Sequence, residues 1–307
     1  MNDNPSWTNI FFSNNPPPDF INQLNNETNP QPSPFIPEDS NWKLGRKADK
    51  GRQPDPTQIQ VLWLRSHGHR KYIAKVFPEY TPNQAKIQLQ RFRFRNSQIP
   101  KLIPDALHEF DRFPREARAY THIDRFCPDH ERIYFPSHYG VITNLDKSRF
   151  SSGYRQERAI ILEAIKPNVR SRRILAESPE THSTSFTHTL AKLPLSPFEY
   201  SYYLSLFHDR LHRLNALHKL GIIHGDIQDW HFRLPDDFHD TVLYDFSEAY
   251  TFTPKLPLRF REPIILSRFA EGERQGVELH LGKRAKDRDL RSYLIKSTSE
   301  QIIDNTI

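Results

Sequence analysis

The sequence predicts an α+β protein of two lobes, the first β-rich and the second helical. Three observations predict this. Strand-forming runs at 59–64, 72–77, 139–143 and 159–165 all precede residue 166. The clearest amphipathic helix, 196–220, follows them. Between the two halves, 166–195 is polar, rich in Ser, Thr and Arg, and only weakly periodic, as a connector would be.

Composition narrows the function classes. The 307 residues carry 43 Lys+Arg against 37 Asp+Glu, a net charge of +6, which favours acidic partners only weakly. With 26 % charged and 36 % hydrophobic residues the chain reads as globular with a disordered portion. No apolar run approaches the roughly 20 residues that span a bilayer, so no membrane partner is expected. Met1-Asn2-Asp3-Asn4-Pro5 has neither the basic nor the apolar region of a secretory signal. The single cysteine, Cys127, forbids an intrachain disulfide and any Cys-rich zinc site. An intracellular location follows, cytoplasmic or nuclear. Ten glycines leave little material for a glycine-rich phosphate loop.

Taken in chain order, residues 1–55 are crowded with Asn and Pro and read as a disordered tail. The basic stretch 43–52 admits a nuclear-import or nucleic-acid contact, but a solvated linker is the simpler reading. Order then begins near Gln58. The cluster Ser66-His67-Gly68-His69-Arg70 separates two strands and makes them a hairpin. Arg91-Phe92-Arg93-Phe94-Arg95 fits a strand with a buried Phe face and a solvated Arg face; an RNA-binding face is possible but not favoured. Leu107, Phe110, Ala117, Tyr120 and Ile123 mark a helix over 103–123 that Pro114 divides. The first lobe is thus 56–165, the connector 166–195 and the second lobe 196–307. There, Ser196-Pro197-Phe198-Glu199 forms a capping box with Pro at the first helical position. Leu204, Phe207, Leu211, Leu214 and Leu217 mark the core face, and Gly221 ends the helix. Short extended pieces follow at 222–223, 232–234 and 241–244.

The densest polar cluster is His224-Gly225-Asp226-Ile227-Gln228-Asp229-Trp230-His231, and Asp245-Phe246-Ser247 follows it. A short hairpin between them would let Asp226 and Asp245 face one cleft. One carboxylate could then orient a nucleophile while the other holds a divalent cation, the division of labour that phosphoryl transfer requires.

From Leu217 to Asp226, and again from Leu243 to Ser247, the sequence resembles the catalytic loop and metal motif of the protein-kinase-like superfamily. The resemblance is to its small atypical, fungal-type members whose loop begins His-Gly-Asp. Ile73-Ala74-Lys75-Val76 resembles the strand whose lysine holds the nucleotide α- and β-phosphates. Arg115-Glu116-Ala117 resembles the helix whose glutamate pairs with that lysine, and Ile161-Leu162-Glu163-Ala164-Ile165 resembles the last strand of the small lobe and the hinge. The resemblance implies a two-lobed kinase-like fold with a truncated helical second lobe, using ATP with Mg²⁺ or Mn²⁺. It implies that Asp226 is the catalytic base, that Asp245 and His231 are metal ligands, and that Lys75, Glu116 and the backbone of Glu163 and Ile165 bind the nucleotide. The phosphate acceptor would be a protein or a small molecule.

The sequence also departs from that pattern. No Gly-x-Gly-x-x-Gly precedes Lys75, and His231 stands where the family has a metal-binding Asn, a poorer ligand type for Mg²⁺. No Ala-Pro-Glu follows Asp245. These departures keep a pseudokinase in play, a non-catalytic platform for nucleotide or protein. A third reading makes His224, Asp226 and His280 the two-His-one-carboxylate triad of a non-haem iron oxygenase, with Arg284 or Arg291 binding a co-substrate carboxylate. It needs barrel strands where the sequence places a helix.

Overall fold

The computed structural model describes residues 31–38, 40–48, 58–65, 71–92, 102–150, 156–165, 184–234, 237–251 and 263–304. Alternation builds its sheet. In β2 (Gln60–Arg65) residues Gln60, Leu62 and Leu64 are buried while Val61 and Trp63 are half-buried, the period of two that one covered face imposes. β3 (Lys71–Phe77) pairs with β2 and with β5 (Arg158–Glu163), and Ala74 to Phe77 are all buried because both faces of this central strand are covered. β4 (His138–Ile142) lies on the far side of β5, and β1 (Lys43–Lys47) on the far side of β2. The five-stranded sheet is antiparallel throughout, in the order β1-β2-β3-β5-β4. With seven helices among the described residues, the protein is α+β, as composition and pattern predict.

Three local expectations need correction. The solvated linker is in part the edge strand β1: Leu44 is fully buried and Trp42 nearly so, both packing on the sheet with Leu62, Leu64, Val76 and Phe150. Two buried side chains flanked by lysines gave too little period to distinguish a strand from a charged linker. Residues 1–30, 39 and 49–55 of the proposed tail lie outside the described residues. The alternating Arg-Phe run opens as helix, since α1 spans Pro82–Phe92; residues 93–95 lie outside the described residues. The connector contains helix α4 (Thr184–Ala191), whose Phe186 and Leu190, one turn apart, are buried, with Phe186 stacked on Phe207 at 4.4 Å. The rest of the connector, 166–183, lies outside the described residues.

The 103–123 segment does divide, but at Asp111 rather than Pro114. α2 (Ile103–Phe110) ends and α3 (Arg112–Phe126) begins on either side of Asp111, whose extended backbone and carboxylate cap the Phe113 N–H at 3.2 Å. Pro114 then sits in the first turn of α3, where backbone N–H groups lack intrahelical partners and a missing one costs little. α3 packs on β4 and β5, burying Phe113, Ala117, Tyr120 and Ile123.

α5 (Pro197–Lys219) begins at the expected capping box. Glu199 N–H donates to Ser196 Oγ at 3.2 Å, and Ser196 N–H to Glu199 Oε2 at 2.8 Å. The helix ends at Gly221, whose φ of 71° only glycine adopts freely. Phe207, Leu214 and Leu217 are core as predicted, while Leu204 and Leu211 are half-buried against it. α6 (Pro263–Asp287) packs on α5, and residues of the 229–241 segment cover Arg210 and Arg213, which are buried with Asp209. α7 (Asp289–Asp304) follows. After α5, β6 (Ile222–Ile223) pairs with β7 (Tyr250–Thr251). Of the expected hairpin between 232 and 244, the described residues form one bridge, Arg233 to Asp240. No helix among the described residues is long and apolar enough to cross a membrane.

His122 on α3 carries a pH dependence. Burial pushes its imidazole down to about 4, with Arg125 adding repulsion and a backbone hydrogen bond to Leu220 opposing both. Its unfolded value is near 6.5, so between about 6.5 and 4 the unfolded chain binds the extra proton. Stability from this residue is complete above about pH 6.5 and falls as pH drops towards 4. Urea midpoints across that window should fall more steeply for the native protein than for His122→Gln; parallel curves would contradict the assignment.

Candidate functional site

Strand periodicity aims Lys75 at α3, since it shares a sheet face with Phe77, which packs edge-on to Phe113 of α3 at 5.6 Å. Glu116 lies on the inward face of α3 and is fully buried. The Lys75 ammonium stands 2.6 Å from Glu116 Oε2 and 2.5 Å from Asp245 Oδ1. Asp245 comes from a third segment, 170 residues away along the chain. Its backbone is left-handed, with φ 69°, and its carboxylate caps the single turn Phe246–Glu248 while accepting from Ser247 Oγ at 2.8 Å. A non-glycine residue held in that conformation costs about 1 kcal/mol or more, strain that tends to persist at functional sites. Arg115 secures the turn from α3: Nη1 donates to Glu248 Oε2 at 3.0 Å and Nε to the Ala249 carbonyl at 3.1 Å. Phe246 is buried beneath, edge-on to Tyr120 and His224.

One ammonium thus serves two carboxylates, and they do not share it equally. Burial would raise Asp245, but the Lys75 ammonium, then His231 and the Ser247 hydroxyl, hold it well below the usual carboxylate range. Burial dominates at Glu116; with the Asp245 charge beside it, it outweighs Lys75 and pushes Glu116 up to about 7. Burial would lower Lys75, and the two acids together more than reverse that, so it stays charged.

The loop after β6 supplies the other half. Gly225 has φ 80°, and its N–H donates to Glu273 Oε1 at 2.6 Å. Asp226, half-buried, accepts from Gln228 Nε2 at Oδ1, 3.0 Å away. His231 is buried and its Nδ1 lies 2.6 Å from the Asp226 carbonyl. A carbonyl can only accept, so Nδ1 carries the proton and Nε2 presents a lone pair. Nε2 faces Asp245 Oδ2 at 3.7 Å and Asp226 Oδ2 at 4.0 Å. Burial and the neighbouring His224 push the His231 imidazole down to about 4, which keeps it neutral.

The fold therefore brings Lys75, Glu116, Asp226, His231 and Asp245 together. Glu163 closes β5, and Ile165 follows it by two residues. The Glu163 N–H is committed to the Ser137 carbonyl at 2.9 Å, so it cannot donate to an adenine; its carboxylate accepts from Ser137 N and Oγ at 2.9 and 2.6 Å. Ile165 lies just past β5, half-buried. The iron-oxygenase triad does not assemble. His224 Nε2 is spent on the Tyr244 carbonyl and His280 Nε2 on the Ile227 carbonyl, each at 3.1 Å, and Arg284 is paired with Asp289. Among the described residues no three His, Cys, Asp or Glu side chains stand close enough to hold a metal ion by themselves. Two ligands, Asp245 and His231, still suit a cation whose remaining ligands are phosphate oxygens and water.

No family model and no curated protein matches the chain.

Sequence reasoning missed Glu273, which accepts from both Gly225 N and His218 Nε2 and so ties the loop to α6. Nothing in the local pattern of α6 marks it; only the packing of α6 on α5 brings it there. Arg115 was visible only as the neighbour of Glu116. Gly225 has no such freedom to vary: a Cβ there would run into the Glu248 carbonyl oxygen, and its φ is positive. Gly225→Ala should cost roughly 2 kcal/mol in urea unfolding and displace Asp226. A fully stable variant would show that the turn at Glu248 moves freely.

Proposed function

We propose that the protein is an ATP-dependent phosphotransferase built on a kinase-like two-lobe fold. The observation that supports it best is the meeting of Lys75, Glu116 and Asp245 from three distant segments at 2.5–2.6 Å, with Asp226 across His231 from Asp245. Lys75, kept charged by its two acids, would anchor the α- and β-phosphates, and Glu116 fixes the direction of its ammonium. Asp226 has one oxygen pinned by Gln228, which leaves Oδ2 to orient and deprotonate an acceptor hydroxyl. Asp245 and His231 would hold a divalent cation, which neutralises developing charge on the phosphates. The acceptor is a protein or small-molecule hydroxyl.

The test separates binding from turnover. Asp226→Asn should keep ATP-induced thermal stabilisation and lower γ-phosphate loss by about 10²–10⁴-fold. Nucleotide binding without γ-phosphate loss in the native protein would instead support the pseudokinase platform, which His231 and the missing glycine flap favour. No nucleotide-induced shift under any cation would overturn both.

A further inference from the structure

We infer that His231 makes the cation position beside Asp245 selective for Mn²⁺ over Mg²⁺, a deepening that rests on the phosphotransferase reading above. His231 Nε2 faces Asp245 Oδ2 at 3.7 Å, with Asp226 Oδ2, which serves the acceptor hydroxyl, beyond it at 4.0 Å. The other polar atom of each group is already engaged. His231 Nδ1 donates to the Asp226 carbonyl at 2.6 Å, Asp245 Oδ1 takes Lys75 at 2.5 Å, and Asp226 Oδ1 takes Gln228 at 3.0 Å. His231 cannot swing away, because it is 4 % exposed, stacked on His224 at 5.2 Å and edge-on to Trp230 and Tyr244. With Nδ1 donating to the Asp226 carbonyl, Nε2 and the carboxylate oxygens facing it can only accept, so the group is open to a cation.

The kind of cation follows from the donor set. Mg²⁺ demands oxygen ligands and sheds water reluctantly, so an imidazole nitrogen held in its shell is a poor exchange. Mn²⁺ accepts imidazole as well as carboxylate and keeps the six-fold, oxygen-rich shell that phosphates and water would complete. Two protein ligands are too few to retain the ion alone, so its binding should depend on nucleotide.

The experiment uses the full chain with ADP, titrated with MgCl₂ or MnCl₂, reading thermal stabilisation and loss of the free Mn²⁺ electron-spin-resonance signal. In the native protein half-saturation should come at roughly tenfold lower Mn²⁺ than Mg²⁺. His231→Asn keeps an N–H for the Asp226 carbonyl but replaces the nitrogen ligand with an amide, and should lower that preference about tenfold by weakening Mn²⁺ alone. Equal preference in the two proteins would overturn the inference. If the variant does not fold, the native preference is compared with that of ADP alone in buffer; equality there overturns it as well. ADP binding that is indifferent to the cation removes only this inference, whereas absence of any ADP effect removes the phosphotransferase reading with it.

Discussion

Asp245→Ala should abolish cation-dependent nucleotide stabilisation and turnover while the protein remains folded. The fold survives because Lys75 keeps Glu116 at 2.6 Å, so the buried ammonium is not left alone. Removing Asp245 also removes the like charge that helps to push Glu116 up, which makes the remaining pair more nearly balanced. The structural cost is local: alanine in the left-handed conformation and a lost cap on Ser247, together about 1–3 kcal/mol. Asp245→Asn separates the two effects, since asparagine tolerates that backbone and still caps, yet carries no charge for a cation. Both variants should lose the difference in melting temperature between nucleotide with and without divalent cation. Turnover unchanged in Asp245→Asn would sink the phosphotransferase proposal.

Arg210→Ala should be the most destabilising single change considered. Arg210 and Asp240 are both fully buried, joined by Nε–Oδ2 at 2.7 Å and Nη2–Oδ1 at 2.9 Å, and Nη2 also reaches Asp229 Oδ1 at 2.7 Å. Arg233 and Arg284 complete the cluster around the same two acids. Removing Arg210 takes from buried Asp240 its two-bonded partner and leaves it Arg284 at 3.7 Å, a loss of roughly 3–5 kcal/mol. That is a large part of the roughly 5–15 kcal/mol that holds a domain together. The effect should reach the site, because Asp229 opens the single turn that carries His231. The check is the urea midpoint, together with the nucleotide-induced thermal shift in whatever fraction folds. A loss below about 1 kcal/mol would mean that water reaches the cluster and relaxes it.

This cluster shows where sequence reading reaches its limit. Periodicity along α5 picked out Leu204, Phe207, Leu211, Leu214 and Leu217; Phe207, Leu214 and Leu217 are core, and Leu204 and Leu211 are half-buried against it. Arg210 lies three residues after Phe207 and four before Leu214, on that same face, where a charge needs buried partners; that the partners are two aspartates only the folded chain shows. The capping box was legible because both partners lie within four residues and the chemistry is local. β1 and α4 were not, because each has only two buried anchors and depends on the sheet or on α5 to supply the surface they cover.

For the site, the local chemistry of the loop and the order of its motifs singled out Lys75, Glu116, Asp226, His231 and Asp245. What needed the folded chain was their distances, the commitment of the Glu163 N–H to Ser137, and the direction of the His231 lone pair. By itself the sequence determined an α+β protein with these side chains as its candidates, since periodicity and caps act over a few residues. Only the tertiary structure decided which charges share an ammonium and which face an open acceptor cluster. Those outcomes depend on burial and on contacts between segments up to 170 residues apart, which no local pattern encodes.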